Sequence, residues 1–142
     1  MDKIPDEFVP LSRGGSPVTA PWEPIYAREL PELVEVGTFI RTPLCNSRGL
    51  LHGGVIAALC DVAMGLTLGV GFRRRGFDVA AILTTHLSID YISKAERGWL
   101  CIRPRLIHAA QSSGIVEATA YAEEMTIAHA KATFRAVAAK TD

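Results

Sequence analysis

Residues 52–72 read HGGVIAALCDVAMGLTLGVGF, and between His52 and Arg73 only Asp61 carries a charge. Apolar side chains recur around nearly the whole circumference at helical spacing, which predicts a helix buried on most sides. The run is also long enough to span a bilayer. A central Asp would cost about 2.5–3.5 kcal/mol on insertion scales. Glycines at 53, 54, 65, 69 and 71 weaken a free-standing helix further. The chain beyond residue 76 reads as a set of strands that needs such a helix as its core, so a soluble core helix with no membrane partner is expected.

Those strands are read from period-two alternation. Ala80 to Ile92 reads AAILTTHLSIDYI, with Leu83, Leu87, Ile89 and Tyr91 on one parity and Thr84, His86, Ser88 and Asp90 on the other. Gly98 to His108 is a second extended run. In Gly114 to Glu123, Val116, Ala118, Ala120 and Ala122 alternate with Glu117, Thr119, Tyr121 and Glu123. In Ile127 to Ala138, alanines and Phe134 alternate with His129, Lys131, Thr133 and Arg135. Leu33 to Thr42 (LVEVGTFIRT) is a strand ahead of the helix. Connections are short, so neighbouring strands should run antiparallel. The alanine-rich faces let a helix approach closely. One antiparallel sheet wrapped round one central helix satisfies this order, an α+β architecture.

Residues 1–30 hold five of the eight prolines, with Gly14, Gly15 and Ser16 among them, and read as an irregular arm ahead of a domain over 31–142. Trp22 and Tyr26 are candidate anchors for it. The opening MDKIPDEFVP lacks an apolar core, so no secretory signal is expected there. Lys+Arg and Asp+Glu both number 15, which gives no basic excess for nucleic acid and favours self-association. Cys45, Cys60 and Cys101 are odd in number and widely spaced, a pattern of reduced thiols in a cytoplasmic protein. His86, His108 and His129 fall on separate strands without metal-ligand spacing, so no metal is expected.

The chemistry-bearing residues lie in Asn46-Ser-Arg-Gly-Leu-Leu-His52-Gly53-Gly54 and continue to Asp61. Here the chain resembles the hotdog-fold thioesterases of the phenylacetate-degradation (PaaI-like) type. Their pattern is an Asn, a His-Gly-Gly six residues later and an Asp nine residues after the His, matched at Asn46, His52-Gly53-Gly54 and Asp61. The resemblance extends over residues 33–138. It implies a hotdog fold, an acyl-CoA thioesterase without a further cofactor, and a homo-oligomer, dimer or tetramer, whose sites are shared between subunits. It also implies that the Gly53 backbone N–H polarises the thioester carbonyl, and that a Ser or Thr on the strand after the helix stands near the attacking water. Thr84 falls at that place, with Thr85 beside it as the second choice. At two points the pattern is not kept: Ala110-Gln111 stands where relatives often carry Gly-Arg, and Glu123-Glu124-Met125 where they carry an Asp-x-Gly turn.

The residues make physical sense beside that resemblance. Gly53 and Gly54 open a helix, whose first turn leaves N–H groups without partners and carries partial positive charge. An oxyanion developing on a thioester fits such a donor. Asp61 lies eight residues past Gly53, roughly 12 Å along the axis. One chain cannot bring both to one carbonyl, whereas two chains can. Asp61 then acts as general base or as nucleophile; the alternative is a buried acid paired with an arginine. Asn46 and His52 are expected to shape the loop and orient the carbonyl, or else to serve only as a turn residue and a helix-entry partner. Arg73, Arg74 and Arg75 either meet coenzyme A phosphates or end the helix with favourable charge. Two other functions compete with hydrolysis. A hydratase or dehydratase of acyl thioesters would use His52 as its base. A non-catalytic acyl-CoA binding module would keep the pocket without the nucleophile.

Overall fold

The structure is a computed structural model that describes residues 2–11 and 17–140; Gly14, Gly15 and Ser16 of the arm lie outside the described residues. In chain order the elements are β1 (Val9–Pro10), β2 (Tyr26–Glu29), β3 (Val34–Phe39), α1 (Gly53–Arg74), β4 (Val79–Tyr91), β5 (Trp99–Ala110), β6 (Ser113–Ala122) and β7 (Met125–Ala138). Short 3-10 turns occupy Ala20–Trp22 and Thr42–Leu44. The seven strands form one sheet in the order β1-β2-β3-β5-β6-β7-β4, and every pairing is antiparallel. With α1 against one face, this is the hotdog arrangement.

The alternation read in β6 and β7 is what docks the helix. Val116, Ala118, Ala120 and Ala122 of β6 are buried, as are Ala128, Ala130, Ala132, Phe134 and Ala136 of β7. Small side chains there leave room for Leu59, Met64, Leu68 and Phe72 of α1, each at most 1% exposed. Burying each contributes about 1.5–3 kcal/mol. The approach is closest at Gly114, where a methyl group would stand 2.4 Å from Leu68 Cδ1. Thr67 is the polar exception on the buried side; its hydroxyl accepts from Val34 N at 3.0 Å.

The arm departs from the irregular segment read in the sequence, because β1 and β2 extend the sheet. Prolines hide strand signal, since each removes a ladder donor, but Pro10 sits in the outermost strand, where that loss is tolerated. Tyr26 does anchor the arm: its ring and those of Phe8 and Phe39 lie 5.8, 5.1 and 4.9 Å from Trp99. On the face away from the helix, fully buried Glu35 of β3 accepts from Arg28 Nε of β2 at 2.7 Å and from Arg103 Nε of β5. This row of charges ties the arm to the sheet across three neighbouring strands.

β4 pairs with β7 and not with β5, its neighbour in sequence. The connection over 92–98 therefore crosses the start of the helix, where Leu51 N donates to Ala95 O at 2.8 Å. β4 is left as a long edge strand, with Leu83 and Tyr91 more than half exposed.

Candidate active site

The helix entry is built from the His52-Gly53-Gly54 backbone. His52 is the N-cap residue, in extended conformation, and its Nδ1 accepts from Gly54 N at 2.8 Å. That bond fixes the neutral tautomer with the proton on Nε2. The His52 carbonyl accepts from both Val55 N and Ile56 N at 3.1 Å. Three of the first-turn amides are thus engaged. The Gly53 N–H has no partner among the described residues, so it is the donor that the helix start leaves open. Gly54, read from the sequence as a second contact, has its N–H taken by the cap.

Asn46 holds the loop that leads into this turn. Its Oδ1 accepts from Arg48 N at 2.9 Å and Leu50 N at 3.1 Å, and Gly49 completes the bend at a φ of 75°. His52 N then donates to Leu44 O at 2.9 Å, delivering the chain to the helix. The Asn46 carbonyl oxygen is used within the turn, and its amide is the end left for any ligand.

Asp61 lies on the partly exposed side of α1, and its Oδ1 accepts from the Thr84 hydroxyl at 2.6 Å. Among the described residues no arginine pairs with it, and its neighbours along this side are Gly54, Ala57, Ala58, Val62, Gly65 and Leu66. Next to it in sequence, Cys60 is fully buried; burial first, then the Asp61 charge, push its thiol up to about 12. That thiol stays protonated and is not a competing nucleophile.

A break in the β4 alternation decides which threonine meets Asp61. On β7 the helix-facing residues Ala128, Ala130, Ala132, Phe134 and Ala136 keep strict period two. Their cross-strand partners are Tyr91, Ile89, Leu87, Thr84 and Ile82, so β4 skips one residue at Thr85. Thr85 is the extra residue of a β-bulge, and its hydroxyl donates to Thr133 O at 3.0 Å. Bulges re-aim side chains in this way beside functional sites. Ile82 and Thr84 face the helix just before the bulge and odd positions do so after it, so the simple alternation read for this strand holds from Leu87 onward. Leu83, assigned to the inner parity, is exposed.

The bulge also brings in a residue whose sequence position suggests no more than a lining group. The Tyr91 hydroxyl donates to Gly53 O at 2.7 Å. Its ring and hydroxyl atoms stand 3.0–3.1 Å from where a Cβ on Gly53 would lie, so a side chain there would have to push the ring back by a few tenths of an ångström. No linear spacing signals this contact, which spans 38 residues.

The arginine run lies elsewhere. Arg73–Arg75 are 12 to 14 residues beyond Asp61, about 20 Å along the axis. Arg73 pairs with Glu29 at 3.5 Å, Arg74 donates to Pro31 O, and Arg75 donates to Gly71 O at 3.0 Å. Arg74 and Arg75 line a cleft of about 510 Å³ with Glu32, Arg105 and Leu106. Within one chain this run is not brought together with Asp61. Among the described residues, no three of His, Cys, Asp and Glu cluster as a metal site would require.

Comparison with known proteins bears on the family and the fold. The family model described as "Thioesterase superfamily" matches residues 48–129, which include His52, Gly53, Asp61, Thr84 and Tyr91. A Pseudomonas aeruginosa protein provisionally named an esterase is 28% identical over 136 residues, covering 94% of this chain and 98% of that protein. A thioesterase family protein from Silicibacter pomeroyi superposes with a TM-score of 0.78 at 25% identity, covering 90% of this chain and 94% of that one. A variant of the phenylacetic acid degradation protein PaaI from Thermus thermophilus shares the fold, with a TM-score of 0.69 at 16% identity, over 80% of this chain and 93% of that one.

Proposed function

Since the chain belongs to the thioesterase superfamily, whose chemistry is thioester hydrolysis, we propose that its substrate is an acyl-coenzyme A and that Asp61 drives the reaction. What carries this reading is the Asp61 carboxylate itself, the sole acid on an apolar helix, paired with no arginine among the described residues and held at 2.6 Å by Thr84. In the general-base route, Asp61 takes a proton from water as the water oxygen bonds to the acyl carbon. The oxyanion that forms is met by the open Gly53 N–H. The C–S bond then breaks, and coenzyme A leaves as thiolate and gains a proton. In the nucleophilic route, Asp61 attacks the acyl carbon, the C–S bond breaks as coenzyme A leaves as thiolate and takes up a proton, and water then hydrolyses the mixed anhydride to release the acid and restore the Asp61 carboxylate. Thr84 orients the carboxylate in either route, and the Asn46 amide helps to position the thioester.

Gly53 and Asp61 of one chain stand too far apart to share a carbonyl, and Asp61 lies on an open surface. We therefore infer a homodimer at minimum, extending to a homotetramer, in which Gly53 of one copy faces Asp61 of the next. The half-exposed apolar side of α1 and the unpaired edge of β4 supply a surface of the right kind for a second copy. The hydratase alternative loses ground to the same geometry, because His52 Nδ1 is committed to the Gly54 cap.

A panel of acyl-CoAs with a thiol-trapping dye tests the reading. Release of free coenzyme A is expected; change only at an enoyl double bond, or binding without turnover, would overturn it. The shared site is tested by mixing an inactive Asp61→Asn protein with an inactive Gly53→Val protein. Activity should reappear on subunit exchange, and its absence after verified exchange would contradict a site built from two copies.

A further inference from the structure

We propose that Tyr91 is a positioning residue that holds Gly53, and with it the open Gly53 N–H, at the helix start. The inference rests on the thioesterase reading for its catalytic consequence, but its structural content stands apart from it. Gly53 is the first residue of α1, where a helix is most prone to fray. Its N–H has no partner among the described residues, and the peptide that carries it is held on its carbonyl side, where His52 O accepts from Val55 N and Ile56 N at 3.1 Å. A further restraint on Gly53 acts at the peptide that follows it. Tyr91 donates its hydroxyl to Gly53 O at 2.7 Å and lays its ring where a side chain on Gly53 would stand.

Tyr91 reaches Gly53 only because of the bulge at Thr85. Thr84 and Tyr91 are seven residues apart, an odd number, and in an unbroken strand they would point to opposite faces. Their cross-strand partners Phe134 and Ala128 are both buried against the helix, so the extra residue restores a common face. One strand thereby serves two points on one helix, Asp61 through Thr84 and Gly53 through Tyr91. Tyr91 itself is 54% exposed, more than its place on the inner face would require for packing alone. Its ring therefore also forms an open wall beside the Gly53 donor.

Tyr91→Phe keeps the ring and removes the clamp. Three readouts on the full-length protein are needed. The first is the Gly53 amide, by nitrogen-15 resonance position and hydrogen exchange, which requires no substrate. A shifted and faster-exchanging Gly53 amide is expected. The second is turnover of an acyl-CoA that the wild type hydrolyses. A kcat lower by roughly 3- to 10-fold with little change in KM is expected, the size of one lost neutral hydrogen bond. The third is thermal unfolding, expected to be nearly unchanged since the bond is exposed to water. Tyr91→Leu, which removes the ring as well, should move the Gly53 amide further. An unmoved Gly53 amide in Tyr91→Phe overturns the proposal, as does a shifted amide with unchanged kcat. A wild type that hydrolyses no thioester would sink the functional reading instead, and the amide result would still decide whether Tyr91 holds Gly53.

Discussion

Thr84→Val isolates one bond. Valine is close to threonine in shape and is at least as good a strand former, so β4 and its pairing to β7 should persist. What disappears is the hydroxyl that donates to Asp61 Oδ1 at 2.6 Å. A hydrogen bond to a charged group contributes about 1.5–3 kcal/mol. If that contribution orients the carboxylate for attack, its loss lowers kcat roughly 10- to 150-fold. Stability should barely move, because Thr84 is exposed and water replaces the lost donor. KM should hold steady too, since Thr84 is expected to touch the acid and not the bound thioester. The assay is steady-state release of coenzyme A beside a urea melt, with Thr84→Ser as the variant that restores the bond. A Thr84→Val protein within about twofold of wild-type kcat would refute the reasoning and return Thr84 to a residue chosen for strand propensity.

Asp61→Asn should abolish most turnover while the circular dichroism spectrum and sedimentation behaviour stay those of the wild type; near-normal activity would remove Asp61 from the mechanism. Glu35→Ala strands Arg28 and Arg103 without their shared acceptor. It should destabilise the chain by about 3 kcal/mol, the lower end for breaking a buried pair, because Arg103 is half exposed and can turn to water. That corresponds to a drop in Tm of about 10 °C for a chain of this size, and a drop under about 2 °C would contradict the burial of the carboxylate. The Cys60 thiol titrates ordinarily at 9.0 but at about 12 when folded. The folded chain thus keeps a proton that the unfolded chain gives up, so the stability tied to the neutral thiol is complete below pH 9.0 and is lost as pH rises toward about 12. Urea melts from about pH 8 to about pH 11 should therefore show a steeper decline in the wild type than in Cys60→Ala; equal slopes would place the thiol in water.

Much of the fold was legible because β6, β7 and α1 carry unmixed signals. Alanines at every second position of 118–122 and, with Phe134 among them, of 128–136 mark one face of each strand, and a helix with a single charge in twenty residues has nowhere to go but onto that face. The arm was harder. Its two strands are short, one of them contains Pro10, and its attachment runs through tertiary contacts: Trp99 gathers the Phe8 and Tyr26 rings, and Glu35 bridges Arg28 and Arg103. A buried carboxylate on β3 reads, in one dimension, as an ordinary outward polar residue of an alternating strand. Only the partners from β2 and β5 reveal that it is covered.

The candidate site divides along the same line. Asn46, His52, Gly53, Gly54 and Asp61 sit on one continuous stretch, so their spacing could be read directly. On β4, Thr84 was reached only through the family resemblance and the Tyr91 contact not at all, because a bulge leaves no mark in composition. Thr84 and Thr85 are chemically identical, and alternation set Thr84 on the polar, outward parity. The structure reverses that parity for the half of the strand before the bulge. Thr85 bonds to the Thr133 carbonyl, Thr84 turns to Asp61, and Tyr91 comes onto the same face to hold Gly53. One inserted residue thus decides which hydroxyl meets the acid and whether an aromatic ring reaches the helix start. A strand under selection for packing alone would gain nothing from leaving Leu83 exposed on the outer face and placing Thr84 on the inner one. That exchange is intelligible as the cost of bringing two polar contacts to two turns of one helix, Thr84 to Asp61 and Tyr91 to Gly53.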